Sequence, residues 1–66
     1  MTNRIRIERA IKDITQAQLA DLVKVSRQTI NAMESNKYVP SAVLAIKVAR
    51  VFEKPMEEVF GLTEDD

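Results

Sequence analysis

Long polar side chains cluster near residue 27, inside the stretch TQAQLADLVKVSRQTINAMESNK that covers residues 15–37. Arg27 and Gln28 are adjacent, and Asn31 follows one helical turn later. A guanidinium or a side-chain amide can form two parallel hydrogen bonds with a planar partner, such as the edge of a nucleic-acid base. The types and spacing of these residues therefore favour recognition through hydrogen bonds.

The composition argues against catalysis. The 66 residues include no Cys and no His, so the chain has no thiolate nucleophile, no imidazole base, no disulfide framework and no Cys/His metal site. Its carboxylates cluster near the C-terminus, but no Gly-rich loop and no set of metal-binding residues accompanies them. We expect no enzyme activity, no metal and no cofactor.

The length of the chain limits the number of domains it can form. A chain of 66 residues buries only about 60% of its unfolded surface, which supports one core. Residues 1–66 are expected to form one domain, in which residues 62–66 are a flexible acidic tail. No apolar run approaches the roughly 18 residues of a membrane span, and the polar start MTNRIRIER lacks the apolar core of a signal peptide. We expect a cytoplasmic protein with no membrane partner.

The formal net charge of zero conceals a polarity along the chain. Residues 1–50 carry nine basic and four acidic residues, a surplus of five positive charges. Residues 51–66 carry one basic and six acidic residues, a surplus of five negative charges. The N-terminal part is thus suited to a polyanion, although the whole chain is neutral.

Periodicity and capping residues predict five helices and hence an all-α fold. The first helix covers about residues 3–12, and the second begins after Thr15, which has capping-box spacing to Gln18. Ser26 is the N-cap of a third helix that runs to about Ser35. Ser41 caps an apolar fourth helix, and Pro55 suits the first position of a fifth helix that includes Phe60 and is ended by Gly61.

The apolar residues on these helices define the expected core. Ile5, Ile7 and Ile11 give the first helix its helical spacing. The second helix has an apolar stripe of Leu19, Leu22 and Val23, and Ile30 with Met33 defines the buried side of the third. The fourth helix is the most apolar segment, and we expect it at the centre of the core.

The second and third helices have the spacing of a helix-turn-helix. Counted from Gln16 as position one, a small residue, Ala20, occupies position five, where the two helices cross. The inward positions are all apolar, namely Leu19, Val23, Val25, Ile30 and Met33. An ordinary helical hairpin inside a five-helix bundle would explain the apolar positions equally well, but it would not explain the polar ones.

With these residues the chain resembles the phage-repressor and Cro-like (Xre-type) helix-turn-helix family, and most closely its small stand-alone repressors. The resemblance extends through PSAVLAIKVARVF and PMEEVF, so that it covers residues 3–60. One position departs from the family pattern, which has Gly at position nine of the unit, where this chain has Lys24. If the turn keeps a positive φ there, a non-Gly residue costs about 1 kcal/mol.

The resemblance implies that the third helix enters the major groove of double-stranded DNA. The residues then expected to contact bases are Arg27, Gln28, Asn31 and Ala32. Those expected to contact phosphates are Gln16, Thr29, Asn36, Lys37, Tyr38 and Ser41. Arg4, Arg6 and Arg9 could add phosphate contacts, although such a charged face is more often only solvated. Glu34 is expected to be an intramolecular partner, because phosphates repel a carboxylate.

Two functions fit the resemblance. The first is a sequence-specific repressor that binds an inverted-repeat operator as a homodimer. Its dimer interface is expected at Met56, Val59, Phe60 and Leu62, unless Val59 and Phe60 simply close the core of the monomer. The second is an antitoxin-like protein-interaction module that uses the same fold and its acidic C-terminal part. The first requires the head of the third helix, and the second requires residues 56–66.

Overall fold

The computed structural model describes residues 1–66 and contains five helices in chain order. They are α1 (Ile5–Lys12), α2 (Gln16–Val23), α3 (Arg27–Glu34), α4 (Ala42–Val51) and α5 (Met56–Val59). The expected all-α, five-helix fold is confirmed. None of these helices has the length and apolarity needed to cross a bilayer.

A short antiparallel sheet, which the sequence did not predict, joins the two ends of the chain. It pairs β1 (Thr2–Asn3) with β2 (Phe60–Gly61), so that Asn3 lies opposite Phe60. Because Phe60 has extended backbone, with φ −120° and ψ 140°, α5 ends at Val59. The prediction that Phe60 belongs to this helix is therefore wrong.

Hydroxyl side chains start α2, α3 and α4 as expected. The Thr15 hydroxyl accepts a hydrogen bond from the Gln18 amide at 3.0 Å, and the Gln18 side chain accepts from the Thr15 amide at 2.8 Å. Ser26 caps α3 by accepting from the Thr29 amide at 3.2 Å, and Ser41 caps α4 by accepting from the Leu44 amide at 3.2 Å. These bonds satisfy amides that have no partner within the first turn of a helix.

The helix C-termini use left-handed residues other than glycine. Asp13, Lys24, Asn36 and Glu53 all have φ between 57° and 64°. In each case the amide of the next residue bonds back to a carbonyl five residues earlier; the Lys37 amide, for example, donates to the Ala32 carbonyl at 2.9 Å. This is the Schellman arrangement, which turns the chain sharply after each helix.

The core is one cluster of thirteen buried apolar residues. It draws on all five helices and comprises Ile5, Leu19, Ala20, Val23, Ile30, Met33, Leu44, Ala45, Val48, Ala49, Phe52, Val59 and Phe60. Leu22, expected on the apolar stripe of α2, is 59% exposed, and Ile7 and Ile11 of α1 are 49% and 67% exposed. The correction has a simple cause: these side chains lie on the outer faces of α1 and α2, where no other element packs.

A buried ion pair fixes α1 to the end of α4. Glu8 is 2% exposed, and its Oε2 accepts a hydrogen bond from Lys54 Nζ at 2.7 Å. Arg4 Nε lies 3.8 Å from the same oxygen. Lys54 follows Glu53, one of the left-handed residues, so the sharp turn after α4 brings the ammonium group to α1.

Candidate nucleic-acid interface

The turn between α2 and α3 aligns the two helices for close packing. Lys24 has φ 64° and ψ 44°, so the turn keeps the positive φ that is strained for a residue other than glycine. The Val25 amide donates to the Ala20 carbonyl at 3.0 Å and closes the turn. Ala20 is 2% exposed and Ile30 is fully buried, so a small residue and a branched one lie in the core beside the turn.

One face of α3 is buried and the other is open. Ile30 and Met33 lie in the core, whereas Arg27, Gln28 and Asn31 are exposed. Ala32 is half-buried at the edge of the exposed face. Three of the four residues expected to contact bases are therefore accessible to a partner. These three share one face because the helical period is 3.6 residues.

Arg27 faces two shallow recesses. One is shared with residues 15–17 at the start of α2 and with Arg9, and the other with Gln28 and Asn31. Arg27 forms no ion pair within the chain, since none of the six ion pairs involves it. Its guanidinium therefore keeps its hydrogen-bond donors for an external partner.

Gln16 lies at the first position of α2 but is already engaged inside the chain. Its Nε2 donates to Glu34 Oε1 at 3.2 Å and to Asn31 Oδ1 at 3.3 Å. An amide nitrogen has two hydrogens, so both are used. A phosphate at this helix end would contact the free backbone amides of the first turn. It would contact the side chain of Gln16 only if the hydrogen bond to Glu34 or to Asn31 broke.

Glu34 is the intramolecular partner that the sequence indicated. Arg9 donates to it from Nε at 2.6 Å and from Nη2 at 3.0 Å, and Arg6 Nε lies 3.7 Å away. Burial raises the pKa of Glu34, but the hydrogen bonds from Arg9 and Gln16 and the charges of Arg9 and Arg6 outweigh burial, so the pKa lies below its ordinary value. The bond to Glu34 likewise raises the pKa of Arg9, against an opposing effect of burial. Arg9 is thus an internal residue and not part of a solvated face.

The segment after α3 carries most of the other residues expected to contact phosphates. Asn36, Lys37, Tyr38 and Ser41 are all exposed there, and Lys37 forms no ion pair. Thr29 differs, because it is half-buried and its Oγ1 lies 3.0 Å from Ser26 Oγ at the start of α3.

Asn3 supports this segment, a role that no sequence pattern predicted. Its Oδ1 accepts from the Ile5 amide at 3.0 Å, so its Nδ2 faces α3 and donates to the Met33 carbonyl at 2.8 Å and to Asn36 Oδ1 at 2.9 Å. Asn36 Nδ2 is then left as an outward donor. Only the pairing of the chain ends brings Asn3 here, and an isolated Asn in a polar segment carries no signal of such a contact.

The basic residues divide into two groups. Five are paired with carboxylates inside the chain, namely Arg4, Arg6, Arg9, Lys12 and Lys54. Five have no such partner, namely Lys24, Arg27, Lys37, Lys47 and Arg50. The unpaired group lies between residues 24 and 50, on the part of the chain that contains α3.

The C-terminal apolar residues form a separate surface. Val59 and Phe60 are 1% and 9% exposed and lie in the core of the monomer, which is the alternative that the sequence left open for them. Leu62 is 83% exposed and Met56 is half-buried. These two residues line a mainly apolar groove together with Met1, Ala45, Glu57, Phe60 and Gly61. The end of the tail folds back, since the Met1 amino group lies 2.6 Å from Asp66 Oδ2.

Comparisons with known proteins identify this arrangement. A family model described as helix-turn-helix matches residues 5–59. The chain belongs to the Cro/C1-type (Xre) helix-turn-helix family. It is therefore a transcriptional regulator with a helix-turn-helix DNA-binding domain, and not an enzyme.

Relatives of similar length support this assignment. An HTH-type transcriptional regulator of Methanocaldococcus jannaschii is 46% identical over 66 residues, which cover 100% of this chain and 98% of the relative. The HTH-type transcriptional regulator YgzD of Bacillus subtilis is 41% identical over the whole of both chains. One from Archaeoglobus fulgidus is 44% identical over 100% of this chain and 93% of its own length.

Proposed function

We propose that this helix-turn-helix regulator is a repressor that binds an inverted-repeat operator as a homodimer, with α3 in the major groove. The observation that carries the proposal is the open face of α3, on which Arg27, Gln28 and Asn31 stand exposed beside the helix-turn-helix turn. In the major groove, Arg pairs with guanine O6 and N7, and Gln pairs with adenine N6 and N7.

Phosphate contacts on both sides of α3 would fix its register in the groove. On one side lie the free amides at the start of α2, near Gln16. On the other side lie Asn36 and Lys37, whose outward groups are hydrogen-bond donors. Tyr38, Ser41 and Thr29 supply further hydroxyl groups, of which Tyr38 is 45% exposed. Ala32 would meet the methyl group of a thymine.

The size of the molecule favours a dimer. Its longest dimension is 31 Å, which is slightly less than one turn of DNA at about 34 Å. One copy therefore reads a single half-site, and the specificity needed in a genome calls for two. The apolar groove beside Met56 and the highly exposed Leu62 offer a surface for pairing. A two-fold axis through this surface would make the operator an inverted repeat.

Selection of bound sequences from a random duplex pool tests the proposal. We expect enrichment of an inverted repeat whose half-sites are about one helical turn apart. A protein in which Arg27, Gln28 and Asn31 are all replaced by Ala is the control, and it should enrich no sequence. Failure of the unmodified protein to enrich any duplex, with the fold intact by circular dichroism, would refute the proposal.

A further inference from the structure

A line of hydrogen bonds runs from the interior of the protein to the open face of α3. It begins at Arg9, which donates to Glu34 at 2.6 Å and 3.0 Å. Gln16 Nε2 donates to Glu34 Oε1 at 3.2 Å and also to Asn31 Oδ1 at 3.3 Å. Asn31 is exposed and its Nδ2 has no hydrogen-bond partner within the chain.

The buried carboxylate determines the direction of every bond in this line. An ionised carboxylate accepts hydrogen bonds and donates none. Gln16 must therefore turn its nitrogen, and not its oxygen, towards Glu34. The same nitrogen faces Asn31, so Asn31 must turn its oxygen inward. The two ends of an amide have nearly the same shape, but here their assignment follows from the charge of Glu34.

We propose that Glu34 and Gln16 are positioning residues that present Asn31 to the DNA as a hydrogen-bond donor alone. This inference rests on the proposed function, since it supposes that α3 lies in the major groove. A bidentate contact with adenine needs both ends of the amide, because N7 accepts and N6 donates. Because its oxygen is turned towards Gln16, Asn31 instead presents its nitrogen to the DNA. It then favours a base that offers only acceptors in the major groove, namely guanine through N7 and O6 or thymine through O4.

Replacement of Gln16 tests the consequence for base preference. Gln16→Met keeps the length of the side chain and removes its amide, so that Asn31 becomes free to turn. The base pair that Asn31 contacts is located first, as the position whose preference disappears in Asn31→Ala. At that position we expect Gln16→Met to raise binding of adenine relative to guanine or thymine by about fivefold or more, the discrimination of a well-formed base contact.

A double variant separates this effect from a loss of phosphate contact. Loss of a phosphate contact weakens binding to all sequences alike, whereas loss of orientation changes one base preference. In the Asn31→Ala background, Gln16→Met should leave the preference at that base pair unchanged. An equal change with and without Asn31, or no change in the Gln16→Met single variant, overturns the proposal.

A measurement without DNA separates this proposal from the proposed function. Nuclear magnetic resonance of the free protein should detect a coupling across the hydrogen bond between Gln16 Nε2 and the side-chain carbonyl carbon of Asn31. Absence of this coupling, in a protein that still selects an operator, overturns the positioning role alone. Presence of the coupling in a protein that selects no duplex overturns the proposed function, and with it the consequence for base preference.

Discussion

Lys24 holds the turn of the helix-turn-helix in a conformation that most side chains avoid. Its φ of 64° places Cβ close to the following carbonyl, which costs roughly 1 to 2 kcal/mol for residues other than glycine. The side chain of Lys24 is exposed and forms no ion pair that could offset this cost. Strain is thus present at the turn that aligns α3 with α2.

We expect Lys24→Gly to stabilise the protein. Glycine relieves the strain, but it also increases the backbone entropy of the unfolded chain, which offsets part of the gain. We expect the net free energy of unfolding to rise by about 1 kcal/mol. That gain corresponds to a rise in Tm of about 4–8 °C for a domain of this size. Lys24→Ala, which removes the charge but keeps Cβ, is the control. A glycine variant no more stable than the alanine variant would contradict the account of this turn.

Glu34 makes stability depend on pH in a definite direction. Its pKa is lowered in the folded protein, so the unfolded chain binds the proton more readily. Its stabilising contribution is complete above the ordinary glutamate pKa of about 4.3, and it is lost as the pH falls through the lower folded value.

We expect Glu34→Gln to lower the free energy of unfolding at pH 7 by roughly 3 kcal/mol, because it breaks a buried ion pair and leaves Arg9 without its partner. The gap between the variant and the unmodified protein should narrow as the pH falls below the ordinary glutamate pKa and through the lower folded pKa of Glu34, because Glu34 itself then becomes neutral. Urea denaturation at pH 7 and at an acid pH below that range measures the gap. Asp65→Asn, at an exposed carboxyl group that forms no ion pair within the chain, is the control. An equal gap at both pH values would show that Glu34 is not held ionised.

At the scale of elements, the turn after α3 places Lys37 next to the C-terminal end of that helix. Because Lys37 is exposed and has no internal partner, its ammonium group is available to a phosphate. We expect Lys37→Ala to weaken binding to strong and weak operators by the same factor. The slope of log K against log salt should fall by about 0.9 for the lost contact.

Lys47→Ala is the matched control for this prediction. Lys47 has the same charge and is also exposed and unpaired, but it lies on α4. We expect its removal to change the salt dependence less. A change of sequence preference in Lys37→Ala with an unaltered salt slope would contradict the phosphate contact.

The starts of α2, α3 and α4 and the end of α3 were predictable because their signals are local. Thr15, Ser26 and Ser41 each bond to an amide three residues away, and Asn36 ends α3 within the same turn. The contacts of Arg9 with Glu34 and of Asn3 with Asn36 join residues 25 and 33 positions apart. No local pattern encodes such pairs, so the sequence indicated that Glu34 has a partner but not which one.

The periodicity of the apolar residues predicted where the helices lie but not which face of each helix is buried. On α1, Ile7 and Ile11 lie one turn apart and look like a core stripe, yet Ile5 and Glu8 occupy the buried face. A carboxylate was not expected there, and it is accommodated because Lys54 neutralises it. The exposed face of α3 was predicted more accurately, because its polar residues are too long and too numerous for a core.

At the scale of the whole molecule, the basic and the acidic surplus lie in different parts of the chain. The unpaired basic residues lie between residues 24 and 50, whereas residues 51–66 carry the acidic surplus. The apolar groove is lined by residues from both ends of the chain and by Ala45. In the proposed dimer the acidic ends would lie away from the duplex, where they do not repel phosphates.

We expect the protein to sediment as a dimer at micromolar concentration, and Met56→Glu with Leu62→Glu to make it a monomer. Two carboxylates in an apolar groove would lose their hydration on pairing, which strongly disfavours association. Ile11→Glu is the control, because Ile11 is 67% exposed on α1 and does not line the groove. A monomer in the unmodified protein, both free and on DNA, would end the dimer proposal.

The central claim, that the head of α3 reads the operator, is tested most directly by binding to every single-base variant of the selected sequence. The unmodified protein, Arg27→Ala and Gln28→Ala are compared at one salt concentration. We predict that each variant loses its preference at one or two base pairs in each half-site, by about 1–3 kcal/mol, and keeps the rest of the profile. Unchanged profiles in both variants would contradict the claim.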